Sequence, residues 1–309
     1  MSATVVLLHG QPGGAGDWQR VRAALADCAE VLIPDRPGWD GTSAPAGVAG
    51  NARAILALLD RLEIDRVTLV GHSFGGAIAC WMAATAPERI GALVLAAPAA
   101  NRASLFALDR WLATPVFGSV AAATLLGSAG LVLSSRHARQ LVASRAGMPE
   151  GYLRGAGRSL RAPRAWRAFA VEQQALLREL PQLERRLGEI AAPTTILIGA
   201  EDWVVPVRSA ALLTSQIPHA TLSVVPGAGH LLPIFAPEHL AAAILAAVAD
   251  YPPSGTGSIS GWGSGSTGVA GSSGAGTVAG SSGAAGVPGS GEAGVTGASG
   301  TAGVGDSAG

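Results

Sequence analysis

Residues 67–83 read VTLVGHSFGGAIACWMA: a β-branched apolar run, then Gly71-His72-Ser73-Phe74-Gly75-Gly76, then an Ala-rich stretch. So many residues without a Cβ around one hydroxyl indicate a backbone bent too tightly for larger neighbours. A strand that runs straight into a helix through G-x-S-x-G forms a nucleophile elbow, whose serine accepts a strained conformation that lifts its hydroxyl above the sheet. Gly71 and Gly75 fill that pattern, and Gly76 lets the helix pack closely. The helix N-terminus behind Ser73 aims N–H groups and a positive dipole end at a developing anion, which makes the Phe74 N–H one expected oxyanion donor.

The flanking chain supplies the rest of such a sheet. Near-continuous apolar runs at 4–8, 30–33, 67–70, 92–96, 194–198 and 221–225 read as strands buried on both faces of a parallel sheet. Between them, WQRVRAALAD (18–27), NARAILALLDRL (51–62) and AIACWMAATAP (77–87) carry apolar residues three and four apart, as helices do. The expected class is α/β, a mostly parallel sheet with helices on both faces. From Asn101 to about Ile190 the rhythm breaks into Arg-rich helical patterns, an insertion expected to sit over the strand C-termini as a helical cap. The expected organisation is therefore a core of residues 1–100 and 190–250, a cap of 101–189, and a disordered Gly/Ser/Ala-rich tail of 251–309.

Composition narrows the function classes. Formal charge is zero over 309 residues, every basic residue is Arg, and no basic run suggests a nucleic-acid footprint. Cys28 and Cys80 lack metal-ligand spacing and read as buried reduced thiols, so neither a metal nor another cofactor is expected. MSATVVLLHG lacks the basic and long apolar regions of a secretory signal, so the expected location is the cytoplasm. Residues 111–135 carry no charge and are long enough to span a bilayer, but Pro115 and three glycines favour two packed cap helices, with no stable membrane insertion.

A serine hydroxyl needs a base within reach. Of six histidines, His9 and His72 belong to the loops around the elbow, His137 to the cap, His219 to the approach to a strand and His239 to the C-terminal helix. His230 follows a strand end on the Gly-rich loop VVPGAGHLLP and is the expected general base. The imidazole needs a carboxylate to fix its tautomer, and TTILIGAEDWVVP places Asp202 just past a strand C-terminus, with the adjacent Glu201 as runner-up. The second oxyanion donor should come from the loop after the first strand, His9-Gly10-Gln11-Pro12-Gly13. Pro12 has no N–H, so Gln11 is the expected donor.

The order Ser73, Asp202, His230, with HGQPG (9–13) early and a cap between strands, resembles the α/β-hydrolase fold superfamily over residues 4–248. PDRPGWDGTS (34–43) is similar to that family's D-x-P-G-x-G loop, which implies a structural role for Asp35 and Arg36 beside the site. Family members usually have two further strands before the HG strand; here three residues precede it, so either six parallel strands remain or the natural start lies upstream. The resemblance implies an acyl-enzyme cycle on a small, largely apolar carboxylic ester, lactone or thioester. It leaves open a C–C bond hydrolase of β-diketone ring-fission products, an acyltransferase or perhydrolase, and a non-catalytic ligand receptor. Relatives that cleave C–C bonds often carry an aromatic soon after the catalytic histidine, whereas here Phe235 stands five residues on. The expected partner is a small-molecule acyl substrate. Arg154, Arg158, Arg161, Arg164 and Arg167 read as a solvated helix face, with a substrate-carboxylate clamp as the alternative.

Overall fold

A computed structural model describes residues 3–250; the tail expected over 251–309 lies outside the described residues. All six apolar runs form strands: β1 (Ala3–Leu8), β2 (Ala29–Leu32), β3 (Val67–His72), β4 (Ile90–Ala96), β5 (Thr194–Gly199) and β6 (Ala220–Val225). They pair in parallel in the order β2-β1-β3-β4-β5-β6. The order reverses between β1 and β3, so the loops after these two strands leave in opposite directions and open a crevice at their C-terminal ends.

In chain order the helices of the first half are α1 (Gln19–Leu25), α2 (Val48–Arg61) and α3 (Phe74–Thr85). Between β4 and β5 come α4 (Ala107–Leu112), α5 (Phe117–Val132), α6 (Arg136–Ala146), α7 (Glu150–Leu160) and α8 (Pro163–Glu184). The chain then forms α9 (Val207–Gln216), α10 (Leu232–Phe235) and α11 (Pro237–Asp250). Strand alternation distributes the core to two faces. Val5 and Leu7 pack with Val21 and Leu25 of α1 and Leu240 and Ile244 of α11, whereas Val6 and Leu8 pack with Ile55 and Leu59 of α2 and Ile78 of α3.

Two expectations need correction. β6 is not buried on both faces: Thr221, Ser223 and Val224 are exposed, because among the described residues β6 is an edge strand with β5 as its one neighbour in the sheet. Cys80 is buried in α3, but Cys28 is exposed in the turn between α1 and β2, beyond the end of the helix that would have covered it. The five arginines from Arg154 to Arg167 are all exposed.

Helix α8 joins the insertion to the sheet. Its Phe169 and Ala170 pack with Leu112, Ala122 and Leu126 of α4 and α5, while Leu176, Leu180 and Leu183 enter the core under α2 and α3. Between these two halves lie Glu172 and Gln173, both buried. Glu172 forms an ion pair with Arg36, and both side chains are wholly buried. Arg36 also donates through Nε to the His9 carbonyl at 3.1 Å and through Nη2 to the Gly10 carbonyl at 2.8 Å, and its guanidinium lies 5.0 Å from the centre of the Phe74 ring. Trp39 Nε1 donates to Glu172 at 2.9 Å. Burial pushes the Glu172 carboxyl above its usual range, and the Arg36 charge opposes that push.

Removing one member of such a pair leaves an uncompensated buried charge, whereas an apolar pair of similar volume does not. Glu172→Ala is therefore expected to lower unfolding free energy by roughly 3–5 kcal/mol in urea titration. The double variant Arg36→Met/Glu172→Leu is expected to recover most of that loss. An unchanged midpoint for Glu172→Ala would contradict the assignment.

Candidate active site

The elbow is held by close backbone contact. Ser73 sits at φ 53° and ψ −118°, a left-handed conformation that few residues other than glycine adopt. Its N–H donates to the Ala96 carbonyl at 3.0 Å, and its carbonyl accepts from Ala99 and Gly76 at 3.0 and 2.9 Å. A Cβ on Gly75 would collide with the Leu8 and His9 carbonyls, and one on Gly71 with the Gly75 backbone. The neighbouring strands and α3 thus over-determine the strained residue, and the strain persists for that reason.

His230 reaches Ser73 because its loop folds back over the end of β5. Glu201 N donates to the Ala228 carbonyl at 2.9 Å, and a Cβ on Gly199 would strike the Ala228 and Gly229 carbonyls. The Ser73 hydroxyl lies 3.1 Å from His230 Nε2, and His230 Nδ1 lies 2.9 Å from Asp202 Oδ2. The other carboxylate oxygen of Asp202 accepts from the backbone N–H groups of Val204 and Val205 at 2.9 and 2.8 Å. Those two bonds fix the Asp202 carboxylate, which accepts from Nδ1–H and leaves Nε2 free to take the serine proton. Glu201 is exposed and outside this line. His137, His219 and His239 are exposed on elements away from it.

The two residues expected to supply oxyanion donors sit on segments that adjoin Ser73. Phe74 is the first residue of α3, so its N–H has no intrahelical acceptor. Gly10 packs directly on the elbow, since a Cβ there would lie 3.0 Å from the Ser73 Cβ, and Gln11 follows it. The Gln11 side chain donates from Nε2 to Gln173 Oε1 at 2.7 Å, and Gln173 Nε2 donates in turn to Asp109 Oδ1 at 2.9 Å. The insertion therefore grips the loop beside the nucleophile from α8 and α4.

Sequence reasoning had not singled out Glu172 or Gln173, yet a signal existed. In AWRAFAVEQQALLREL (165–180) the apolar stripe runs through 165, 168, 169 and 176, and helical spacing puts 172 and 173 on that same stripe. Polar residues on a buried stripe require partners. His72 also supports the site. Its Nε2 lies 3.0 Å from the His230 carbonyl, and burial, helped by the nearby His230, takes its pKa from 6.5 down to about 3. The neutral imidazole thus donates from Nε2 and steadies the loop that carries His230. Burial and the Arg36 charge likewise hold His9 well below 6.5. On the following loop, burial raises Asp17 from 3.8 to about 6, against hydrogen bonds from the Gly14 N–H and the Tyr152 hydroxyl of α7.

Residues 3–237 match the family described as alpha/beta hydrolase fold. The chain is 30% identical over 236 residues to a 2-hydroxy-6-oxo-6-phenylhexa-2,4-dienoate hydrolase of Burkholderia cepacia, covering 73% of this chain and 80% of that protein. It is also 30% identical over 237 residues to a 2-hydroxy-6-oxononadienedioate/2-hydroxy-6-oxononatrienedioate hydrolase of Cupriavidus pinatubonensis, covering 74% and 80%. A solved alpha/beta hydrolase fold protein from Burkholderia ambifaria superposes with a TM-score of 0.66 at 25% identity, over 80% of this chain and 91% of that one.

The shifted histidines predict how stability depends on pH. Both folded pKa values lie below the ordinary 6.5, so as pH falls through 6.5 the unfolded chain binds protons that the folded chain refuses, and stability is lost. Asp17 acts in the opposite sense, but only below about pH 6. The net expectation is a loss of about 2 kcal/mol between pH 7.5 and 5.5, measured by urea denaturation. Asp17→Asn should make the loss larger; a profile flat over this range would refute the burial of two neutral imidazoles.

Proposed function

Because the chain belongs to the alpha/beta hydrolase fold family, we propose that it hydrolyses a carbon–carbon bond in a 2-hydroxy-6-oxo-2,4-dienoate, the vinylogous diketone made by ring fission. The supporting observation is its 30% identity, across nearly the whole described chain, to two hydrolases named for such dienoates. This replaces ester hydrolysis as the leading reading, although both chemistries would use the same side chains.

Ser73 Oγ adds to the C6 ketone as His230 Nε2 takes its proton, and Asp202 stabilises the resulting imidazolium. The oxyanion at C6 is received by the N–H groups of Phe74 and Gln11. A carbon leaving group departs only when its electron pair has somewhere to go. Once the dienol has taken a proton on C5 and become a ketone at C2, the pair from the broken C5–C6 bond flows through the unsaturated chain onto the C2 oxygen. That dienolate is then protonated, and water activated by His230 releases the C6 acid from Ser73. The helices of 101–189 act as the cap that keeps bulk water away from this sequence of steps.

The test compares 2-hydroxy-6-oxo-6-phenylhexa-2,4-dienoate with p-nitrophenyl esters of increasing chain length. A kcat/KM for the dienoate more than about 100-fold above the best ester is expected, with benzoate as product. Ser73→Ala should lower turnover by about 10⁴-fold or more and abolish labelling by a fluorophosphonate, with His230→Ala nearly as damaging and Asp202→Asn less so. The reverse ranking of substrates would restore the esterase reading; equal turnover by Ser73→Ala would sink both.

A further inference from the structure

Helix α5 buries a narrow stripe and exposes a broad one. Gly118, Ala122, Leu126 and Gly130, spaced four apart, face α4, α7 and α8. On the opposite face Phe117, Val120, Leu125 and Leu131 are exposed, Phe117 to 69%. Trp111 at the end of α4 is also exposed, with its ring centre 6.1 Å from that of Phe117, so the aromatic pair continues the surface onto the neighbouring helix. No charged residue occurs between 111 and 135. Among the described residues no single helix is long and apolar enough to cross a membrane, and α5 and α6 are bent at 94° to one another.

Charge is distributed around this surface in one sense. Residues 101–189 hold thirteen arginines and six acidic residues, a net +7 in a chain whose formal charge is zero. Arginines gather near the C-terminal end of α5, where Arg136 opens α6 and Arg161 packs against the buried side of α5 at Gly130. A Cβ on Gly130 would lie 2.8 Å from Arg161, and one on Gly157, beside Arg158, would lie 2.9 Å from the Leu133 Cβ. Arg136, Arg158, Arg161 and Arg164 are exposed, and none is paired with a carboxylate among the described residues.

We propose that the exposed face of α4 and α5 is a docking surface for an anionic phospholipid bilayer, on which the helix lies without spanning it. Apolar and aromatic side chains on one face of an insertion of net positive charge suit the boundary between headgroups and acyl chains of an anionic leaflet. A second copy of the chain fits less well, because a two-fold contact through this face would bring together two insertions that each carry a net +7. On the inner side of α4, Asp109 is linked through Gln173 to Gln11, so the helix that carries part of the docking face is two side chains from the loop beside Ser73.

The full chain would be sedimented with vesicles of phosphatidylcholine alone and of phosphatidylcholine with phosphatidylglycerol, while its mass in solution is measured by analytical ultracentrifugation. Binding to the anionic vesicles at least about tenfold stronger than to the neutral ones, and weakened by salt, is expected. Phe117→Glu and, independently, Leu131→Glu should each reduce that binding about tenfold or more, with turnover of a water-soluble substrate unchanged. Equal binding to both vesicle types would overturn the proposal, as would no binding to either. A dimer that Phe117→Glu dissociates, with no vesicle binding by the wild type, would assign the face to a second copy instead.

Discussion

The buried ion pair between Arg36 and Glu172 is the contact on which the rest of the site depends. Arg36 comes from the loop after β2 and Glu172 from the middle of α8, so one guanidinium connects the sheet to the insertion. The same guanidinium binds the carbonyls of His9 and Gly10 and covers Phe74, and thereby fixes the loop and the elbow that flank the nucleophile. Placing two charges in a dry interior is costly, and such a pair is tolerated when its remaining donors and acceptors are satisfied. Here Trp39 and two backbone carbonyls satisfy them. The arrangement contributes more to geometry than to net stability, since an apolar replacement could hold the helices together but not orient the loop.

A second constraint acts at Ser73, where a non-glycine residue is kept in a left-handed conformation. The strain is not relieved locally; it is imposed by contacts at Gly71, Gly75 and Gly76, each too close to other backbone or to Pro98 for a Cβ. The hydroxyl that results meets a line of hydrogen bonds through His230 to Asp202, and that line ends on two backbone N–H groups. Main chain anchors both ends of the line, through the strained backbone of Ser73 and the two N–H groups on Asp202, and the His230 ring is held between them. Such preorganisation lets the site stabilise developing charge without reorganising during reaction.

The insertion follows a different logic from the core. The core helices bury wide apolar faces, whereas the buried stripe of α5 is small except for Leu126, and most of its bulky residues lie outside. Small residues permit close helix approach but supply little apolar area, so packing alone gives no reason for Phe117, Val120 and Leu131 to be large. An apolar surface carried on an insertion of net positive charge is suited to an apolar environment with an anionic edge. The polar contacts of the insertion are instead concentrated on α8, where Glu172 and Gln173 meet the loops of the sheet.

The amino-acid sequence alone determined the local grammar. Apolar runs marked all six strands to within two residues at either end, most plainly the four inner ones, which are buried between two layers of helices and have no polar face to disguise them. The run of glycines around Ser73 declared the elbow, because only residues without a Cβ tolerate that approach. The positions of His230 and Asp202 after strand ends were equally legible, since a parallel sheet delivers such loops to one edge. Tertiary structure decided what local pattern does not encode. It made β6 an edge strand, exposed Cys28, and turned Arg36, a residue in a surface-like loop sequence, into a buried hub by supplying Glu172 from 136 residues away. Pairing across such a distance depends on how the elements pack, and the period of a helix or strand carries no record of its partner.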